Sequence, residues 1–369
     1  MNKWIAIPIM SVLLVAALVL WLFYENESYE LKGAQVKIDS QGAEVSTLEK
    51  ELSDSKAIVS TLEETKTVLE ADLALAEGEI LTLEAKGLAL EGNIGVPSIT
   101  FPDPKLEAAF REYLNKPEGL IYASDLEALT TFEDDPEDPR GISDLTGLEY
   151  CVNLVGLNLG LNKITDISVL ANLTKLGWID LWANEITDIS PLAGLTNLRS
   201  LVLATNNISD LTPLAGLINL ETLSMADNNV SDISPLAGLA NLRSLSLTRN
   251  NITDISPLAG LTGLYDITIG KNNISDISAL ANLTKLWSLW IGKNNIIDIS
   301  PLAGLTDLWW IDLSDNNISD IFPLVQNSGL AMSDFVDLRG NPLSSTSVDV
   351  YIPQLEERGV TLGGTTPMF

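Results

Sequence analysis

Between Leu154 and Gly329 the chain carries eight consecutive copies of a 22-residue unit, and each unit changes rhythm partway along. The copy Leu198–Asn219 reads LRSLVLATNNISDLTPLAGLIN, and the copy Leu242–Gly263 reads LRSLSLTRNNITDISPLAGLTG. The general form is LxxLxLxxNxIxDISPLAGLTx. Apolar residues at its first, fourth and sixth positions (Leu198, Leu201 and Leu203 in one copy) predict a short strand with one face turned inward. The DISPL segment predicts a turn, its Ser suited to an N-cap and its Pro to the first helical position. One unit cannot bury its apolar side alone, whereas stacked copies share a continuous core and need covered ends. The predicted fold class is an α/β solenoid, a horseshoe with a parallel concave sheet and short helical or 3-10 turns on the convex side.

Two polar columns run through the copies. The ninth position is Asn throughout: Asn162, Asn184, Asn206, Asn228, Asn250, Asn272, Asn294 and Asn316. Amides placed there are expected to bond free backbone groups at each turn, because buried polar groups need partners. A second column holds Asp166, Asp188, Asp210, Asp232, Asp254, Asp276, Asp298 and Asp320. A calcium ladder is one reading of it, but a carboxylate recurring at every turn is better read as a turn cap. The NxS/T triplets, such as Asn207–Ser209, follow from the repeat itself and say little about glycosylation.

The flanks have other patterns. Residues 1–27 contain an almost wholly apolar run at 4–24, long enough to span a hydrocarbon core of about 30 Å as one helix. With Lys3 before the run and Glu25, Glu27 and Glu30 after it, a single-pass anchor is expected, leaving the carboxyl-terminal part outside the cytoplasm. Residues 28–92 hold a heptad with a at Leu31, Ile38, Val45, Leu52, Val59, Lys66, Leu73, Ile80 and Gly87. That pattern predicts a coiled-coil stalk roughly 95 Å long at the helical rise. Its a/d residues lean towards a parallel homodimer, although Glu44 against Glu49 and Glu79 against Glu84 fit a self-pair badly and leave a more basic hetero-partner open. Residues 93–100 read as a hinge. Residues 101–153 read as an amino-terminal cap with an irregular first repeat, its helix starting at Asp103–Pro104 and packing Leu106, Phe110 and Leu114. Residues 330–369 read as a last repeat keeping Leu338 and Asn341, then a carboxyl-terminal cap with a closing helix over 350–358.

The 22-residue pattern with its SPLAGLT turn is that of a leucine-rich repeat and resembles the internalin-like and SDS22-like class. The resemblance covers roughly residues 100–362. It implies a ligand-binding scaffold, not an enzyme: internalins bind host receptors, and SDS22-type proteins regulate phosphatases. A membrane anchor and stalk speak against a cytosolic phosphatase regulator.

Charge and composition narrow the function classes. The net charge is −29, from 21 basic and 50 acidic residues, about −8 of it in residues 28–92 and about −20 beyond. Such a chain is a poor match for nucleic acid, whose phosphates need Lys and Arg. There is no His and one Cys, Cys151, which removes intrachain disulfides, Cys/His metal sites and histidine catalysis. Cys151 is expected to pack in the core rather than react. Carboxylates are plentiful, but no pair stands out as a glycosidase would need. No cofactor, metal or catalytic residue is expected, and the acidic insert Glu133–Arg140 reads as a solvated loop rather than a calcium site.

The second, third, fifth, seventh and eighth positions of each copy are free to vary and face outward on the concave sheet. All six tryptophans after residue 27 occupy such positions: Trp178, Trp182, Trp287, Trp290, Trp309 and Trp310. Tyr265 does so too, and Phe335 keeps the phase. These aromatics are expected to face solvent, apart from Trp310 and Phe335, whose burial against the cap is plausible. Trp287, Trp290 and Trp309 should form one patch with Tyr265 at its edge and a polar rim of Asp266, Lys271, Lys293, Asp312, Asp315 and Asp337. The middle copies, with Arg199, Arg243, Arg249, Glu221 and Asp227, form a more charged zone. Exposed aromatics with a mixed-charge rim suit a protein or peptide ligand. The alternative is a glycan, for which a groove with paired parallel rings would be the sign. A further alternative is a spacer that only organises the envelope.

Overall fold

The computed structural model describes residues 98–134 and 140–363. The expected anchor, stalk and most of the hinge, with residues 135–139 of the acidic insert, lie outside the described residues. Among the described residues no helix is long and apolar enough to cross a membrane.

Eleven short strands form one parallel sheet in sequence order. They are β1 Thr131–Glu133, β2 Gly156–Asn158, β3 Trp178–Asp180, β4 Ser200–Val202, β5 Thr222–Ser224, β6 Ser244–Ser246, β7 Asp266–Thr268, β8 Ser288–Trp290, β9 Trp310–Asp312, β10 Phe335–Asp337 and β11 Thr361–Gly363. Each pairs in register with the next, Leu157 with Ile179 and Ile179 with Leu201. The 22-residue period therefore returns every repeat position to the same row. The first, fourth and sixth positions are buried, as Leu198, Leu201 and Leu203 show, and the apolar positions of the turn side join them in one core. The eighth residue of every repeat adopts a left-handed backbone, from Leu161 (φ 57°) to Asp315 (φ 51°), which swings the chain off the strand.

The two polar columns are scaffold. Asn206 accepts a hydrogen bond from the Ile186 N–H (3.0 Å) and donates to the carbonyls of Leu181 and Leu203. Its amide therefore closes groups of the preceding repeat as well as its own. The same pattern recurs at each Asn and ends at Asn341, which accepts from Ile318. Each Asp of the second column accepts the backbone N–H two residues on, Asp188 from Ser190 and Asp254 from Ser256, both at 2.8 Å. At Asp210 the Thr212 hydroxyl and N–H hold the carboxyl below its usual range.

The expected Ser cap is corrected by this bond. Ser190 is the first residue of the 3-10 turn Ser190–Leu192, Pro191 is the second, and Ile189 stands at the cap. The carboxylate two residues upstream takes the N–H of Ser190 itself, which places Ser190 inside the turn, where its carbonyl accepts from Ala193 N–H.

Both ends of the stack are covered. Helix α1 (Pro104–Tyr113) begins at Asp103, whose side chain accepts from Lys105 N–H. The other carboxylate oxygen accepts from Ser143 N–H (2.8 Å), tying the cap to the first half-repeat. Burial opposes ionisation of Asp103, but these hydrogen bonds outweigh it and lower its pKa. Leu106 and Phe110 are buried as expected, while Leu114 is only half-buried at the helix end. A short helix α2 (Ala123–Glu127) follows. At the far end, α3 (Phe322–Gln326) replaces the last 3-10 turn. A π-helical turn, Ser347–Tyr351, leads into α4 (Ile352–Glu357), broadly the closing helix expected from sequence. Strand β11, which the repeat pattern does not announce, then pairs with β10.

Candidate functional site

The open face of the sheet carries the aromatic side chains. Strand pairing sets β7, β8 and β9 side by side, which places the second residues of three successive repeats in one row. Tyr265 and Trp287 stack at 5.9 Å between ring centroids, and Trp287 and Trp309 at 5.4 Å with planes 6° apart. A second set starts on the fifth position of its repeat. Trp290 leans onto Trp310 (5.5 Å), which rests on Phe335 (4.6 Å). Trp309 meets Trp310 edge to face and joins the two sets. Trp287, Trp290 and Trp309 remain 38%, 39% and 42% exposed, and Tyr265 is exposed to a similar extent. Trp310 and Phe335 are half-buried beneath them.

Trp178 and Trp182 are not part of this cluster. Strand β3 lies five strands from β8, about 24 Å at the spacing of paired strands. Nor do they face solvent freely. Each indole lies on a glycine of the preceding repeat: a Cβ on Gly156 would stand 2.2 Å from the Trp178 ring, and one on Gly160 2.4 Å from Trp182. Both are half-buried in consequence. Asp180 stands between them along the chain and accepts from Trp182 N–H (3.0 Å). Burial pushes its carboxyl above the usual range, and that hydrogen bond only partly offsets the effect.

The expected polar rim is mixed in fact. Asp337 does not belong to it, being buried and bound by Arg339. Burial opposes its charge, but the Arg339 hydrogen bonds and charge hold its pKa down. Asp266 is half-buried and accepts from the Ser244 hydroxyl (3.0 Å), and Asp312 accepts from Ser314 N–H. Lys271, Lys293 and Asp315 are exposed, with Lys293 and Asp315 3.7 Å apart. In the middle repeats Arg199 pairs with Glu221, and Arg249 with Asp227 at 3.0 Å.

A feature missed in sequence lies beside Trp290. A cavity of about 170 Å³ opens there between Trp290, Lys271, Lys293 and Asp312, over Gly270 and Gly292. The signal for it is the seventh-position row, which shrinks to Ala204, Ala226, Thr248, Gly270 and Gly292 across five copies. Elsewhere, Cys151 is buried, and burial, with Glu149 nearby, pushes its thiol up to about 12. It is a packing residue. Among the described residues no group of three or more acidic or Cys side chains is placed to hold a metal ion.

Comparison with known proteins agrees with this architecture. Family models for leucine-rich repeats match residues 174–216 and 218–260 (two-copy model) and residues 240–296. An internalin of Listeria monocytogenes, InlF, is 36% identical, with a TM-score of 0.59. The match covers 72% of this chain and 90% of that one. A second Listeria internalin, C2, is also 36% identical (TM-score 0.50), over 64% of this chain and 96% of that one. A leucine-rich-repeat protein of Leptospira interrogans shares the fold at 22% identity and TM-score 0.52, over 59% of this chain and 63% of that one. A search of curated protein sequences returns no significant match.

Proposed function

This chain belongs to the internalin-type leucine-rich-repeat proteins, and from that premise we propose that it binds a protein or peptide ligand through the open sheet face of repeats six to eight. Leucine-rich-repeat proteins are typically non-enzymatic binding scaffolds. Trp287, Trp290 and Trp309 are the anchors, with Tyr265, Lys271, Lys293 and Asp315 around them. We propose further that residues 4–24 tether the protein to a membrane with its carboxyl-terminal part outside the cytoplasm.

The observation that carries this reading is the exposure of three large indoles in a fold whose core is already complete without them. Contiguous exposed apolar surface of this kind marks a recognition site, and tryptophan is the residue most enriched among binding anchors. The geometry of the rings favours protein over sugar. The parallel pair expected of a polysaccharide groove is present, but at 5.4 Å the rings lie on each other, within the usual stacking range. Trp287 is thereby flanked by a ring on each side, Tyr265 and Trp309, and a sugar needs a free face.

The test uses the full-length chain and its Trp287→Ala/Trp290→Ala/Trp309→Ala variant on an array of extracellular proteins and an array of glycans. Protein binding lost in the variant supports the reading. Protein binding retained by the variant, or binding to glycans alone, overturns it.

A further inference from the structure

We propose that Asp180, with Trp178 and Trp182 on either side of it, receives a basic side chain, Arg or Lys, from the ligand at the amino-terminal end of the open sheet face. This rests on the reading of that face as a protein- or peptide-binding surface and gives it a second point of contact. The two points lie five strands apart, about 24 Å at the spacing of paired strands.

The cradle comes from alternation along one strand. The ladder continues past β3 through Leu181 and Ala183, so residues 178, 180 and 182 point to the same face. Asp180 therefore stands about 7 Å along the chain from each indole-bearing position. Gly156 and Gly160 of the preceding repeat leave room into which both rings lean. On the opposite side the same three rows hold Ser200, Val202 and Ala204, so the ground towards β4 is low. A side chain can reach Asp180 from there with its stem across an indole, as long basic side chains lie on apolar surface. Neither Trp178 nor Trp182 has a ring partner among the described residues, unlike the stacked indoles of repeats seven and eight.

Charge then names the occupant. The Trp182 N–H takes one oxygen of the Asp180 carboxylate, at 3.0 Å. The other has no hydrogen bond among the described residues and is not sealed from solvent. No ion pair reaches it either, whereas Glu221, Asp227, Asp315 and Asp337 on this face each have a cation. The outward positions of the two flanking repeats supply one cation, Arg199, and it is bound to Glu221 on the far side. Glu133, two strands away in the row of Asp180, adds a second negative charge. Burial raises the Asp180 pKa, with only the Trp182 N–H against it, so the ionised carboxylate costs stability and closes nothing in the core. A cation from outside satisfies it, and an indole beside the cation adds attraction to the ion pair. Arg suits the place well, since its planar fork bonds a carboxylate and stacks on an aromatic ring.

The test titrates full-length chain with acetyl-Gly-Arg-Gly-amide and with its citrulline counterpart, which keeps the shape and loses the charge. Binding is followed on the indole N–H resonances, with those of Trp178 and Trp182 assigned from Trp178→Phe and Trp182→Phe. The Arg peptide should shift these two signals and bind about tenfold better than the citrulline peptide at low salt, ion pair and ring contact acting together. That preference should vanish in Asp180→Asn, once thermal melts show the variant folded, and persist in Trp287→Ala/Trp290→Ala/Trp309→Ala. Equal binding of the two peptides, binding of neither, or an Arg preference that survives Asp180→Asn overturns the proposal. So does loss of the Arg peptide in the triple-Trp variant. Failure of the peptides alongside protein capture that depends on the three exposed indoles overturns this proposal and leaves the wider reading standing. Binding to glycans alone overturns both.

Discussion

The indoles of Trp287 and Trp309 lie in nearly parallel planes on adjacent strands, 5.4 Å apart between centroids and tilted by 6°. Neither is needed to close the core, since the first, fourth and sixth positions of both repeats are already filled by buried Leu and Ile. Trp287→Ala and Trp309→Ala should each lower stability modestly, with a coupling of about 1 kcal/mol between them. A double-mutant cycle in urea measures that coupling. Ligand capture should fall far more steeply than stability in both variants.

Asn228 should behave in the opposite way. It accepts from Ile208 N–H and donates to the carbonyls of Leu203 and Met225. Asn228→Ala strands the Ile208 N–H in the core at a cost of about 1–3 kcal/mol, while each carbonyl keeps a second amide, Asn206 at Leu203 and Asn250 at Met225. Its exposed neighbour changed by Asn229→Ala should shift stability by no more than about 0.5 kcal/mol. Equilibrium unfolding of the two variants gives the comparison directly.

The carboxyl of Asp180, pushed up by burial, gives a pH dependence of definite sign. A group with a raised folded pKa contributes stability below its unfolded value, 3.8 here, and loses it as pH rises through the folded value. Asp180→Asn keeps an acceptor for Trp182 N–H and removes the buried charge. It should therefore raise the melting temperature at pH 7, with the gain shrinking as pH falls through the folded pKa. Melts of parent and variant across that range check it.

Cys151, with its thiol pushed up to about 12 by burial, should resist maleimide in the native protein. Thiolate is the reacting species, and both burial and the raised pKa withhold it. Labelling should appear only under unfolding conditions, and mass spectrometry in a denaturant series would show it.

The sequence determined the rows of this structure more fully than the lean of the side chains within them. The Leu phase placed Leu198, Leu201 and Leu203 in the core, and the recurrence of Asn and Asp identified both columns as scaffold. Direction from the backbone, however, says nothing about which way a long side chain falls. Trp178 and Trp182 occupy outward positions and still lie half-buried, because the copy before them has Gly156 and Gly160 in the same rows. Asp337 keeps the rim phase yet is buried, since Arg339 reaches back to it at 2.9 Å. The Ser of DISPL looked like a cap because its type suits one. Turn geometry instead puts Ser190 inside the turn, its own N–H bound by the Asp188 carboxylate. The cleft beside Trp290 was legible only as an absence, two glycines under one another, which a search for chemistry-bearing residues passes over.

The amide column has a direction. Every Asn holds backbone groups of its own repeat and of the one before it, never of the one after. A polypeptide emerges from the ribosome amino terminus first, so each coil of this solenoid stays unlatched until its successor has been made and folded onto it. Growth would proceed like a zipper whose newest tooth secures the previous one, and the final latch is Asn341. A chain cut short within the repeats would keep its upstream coils fastened and leave only its last one open.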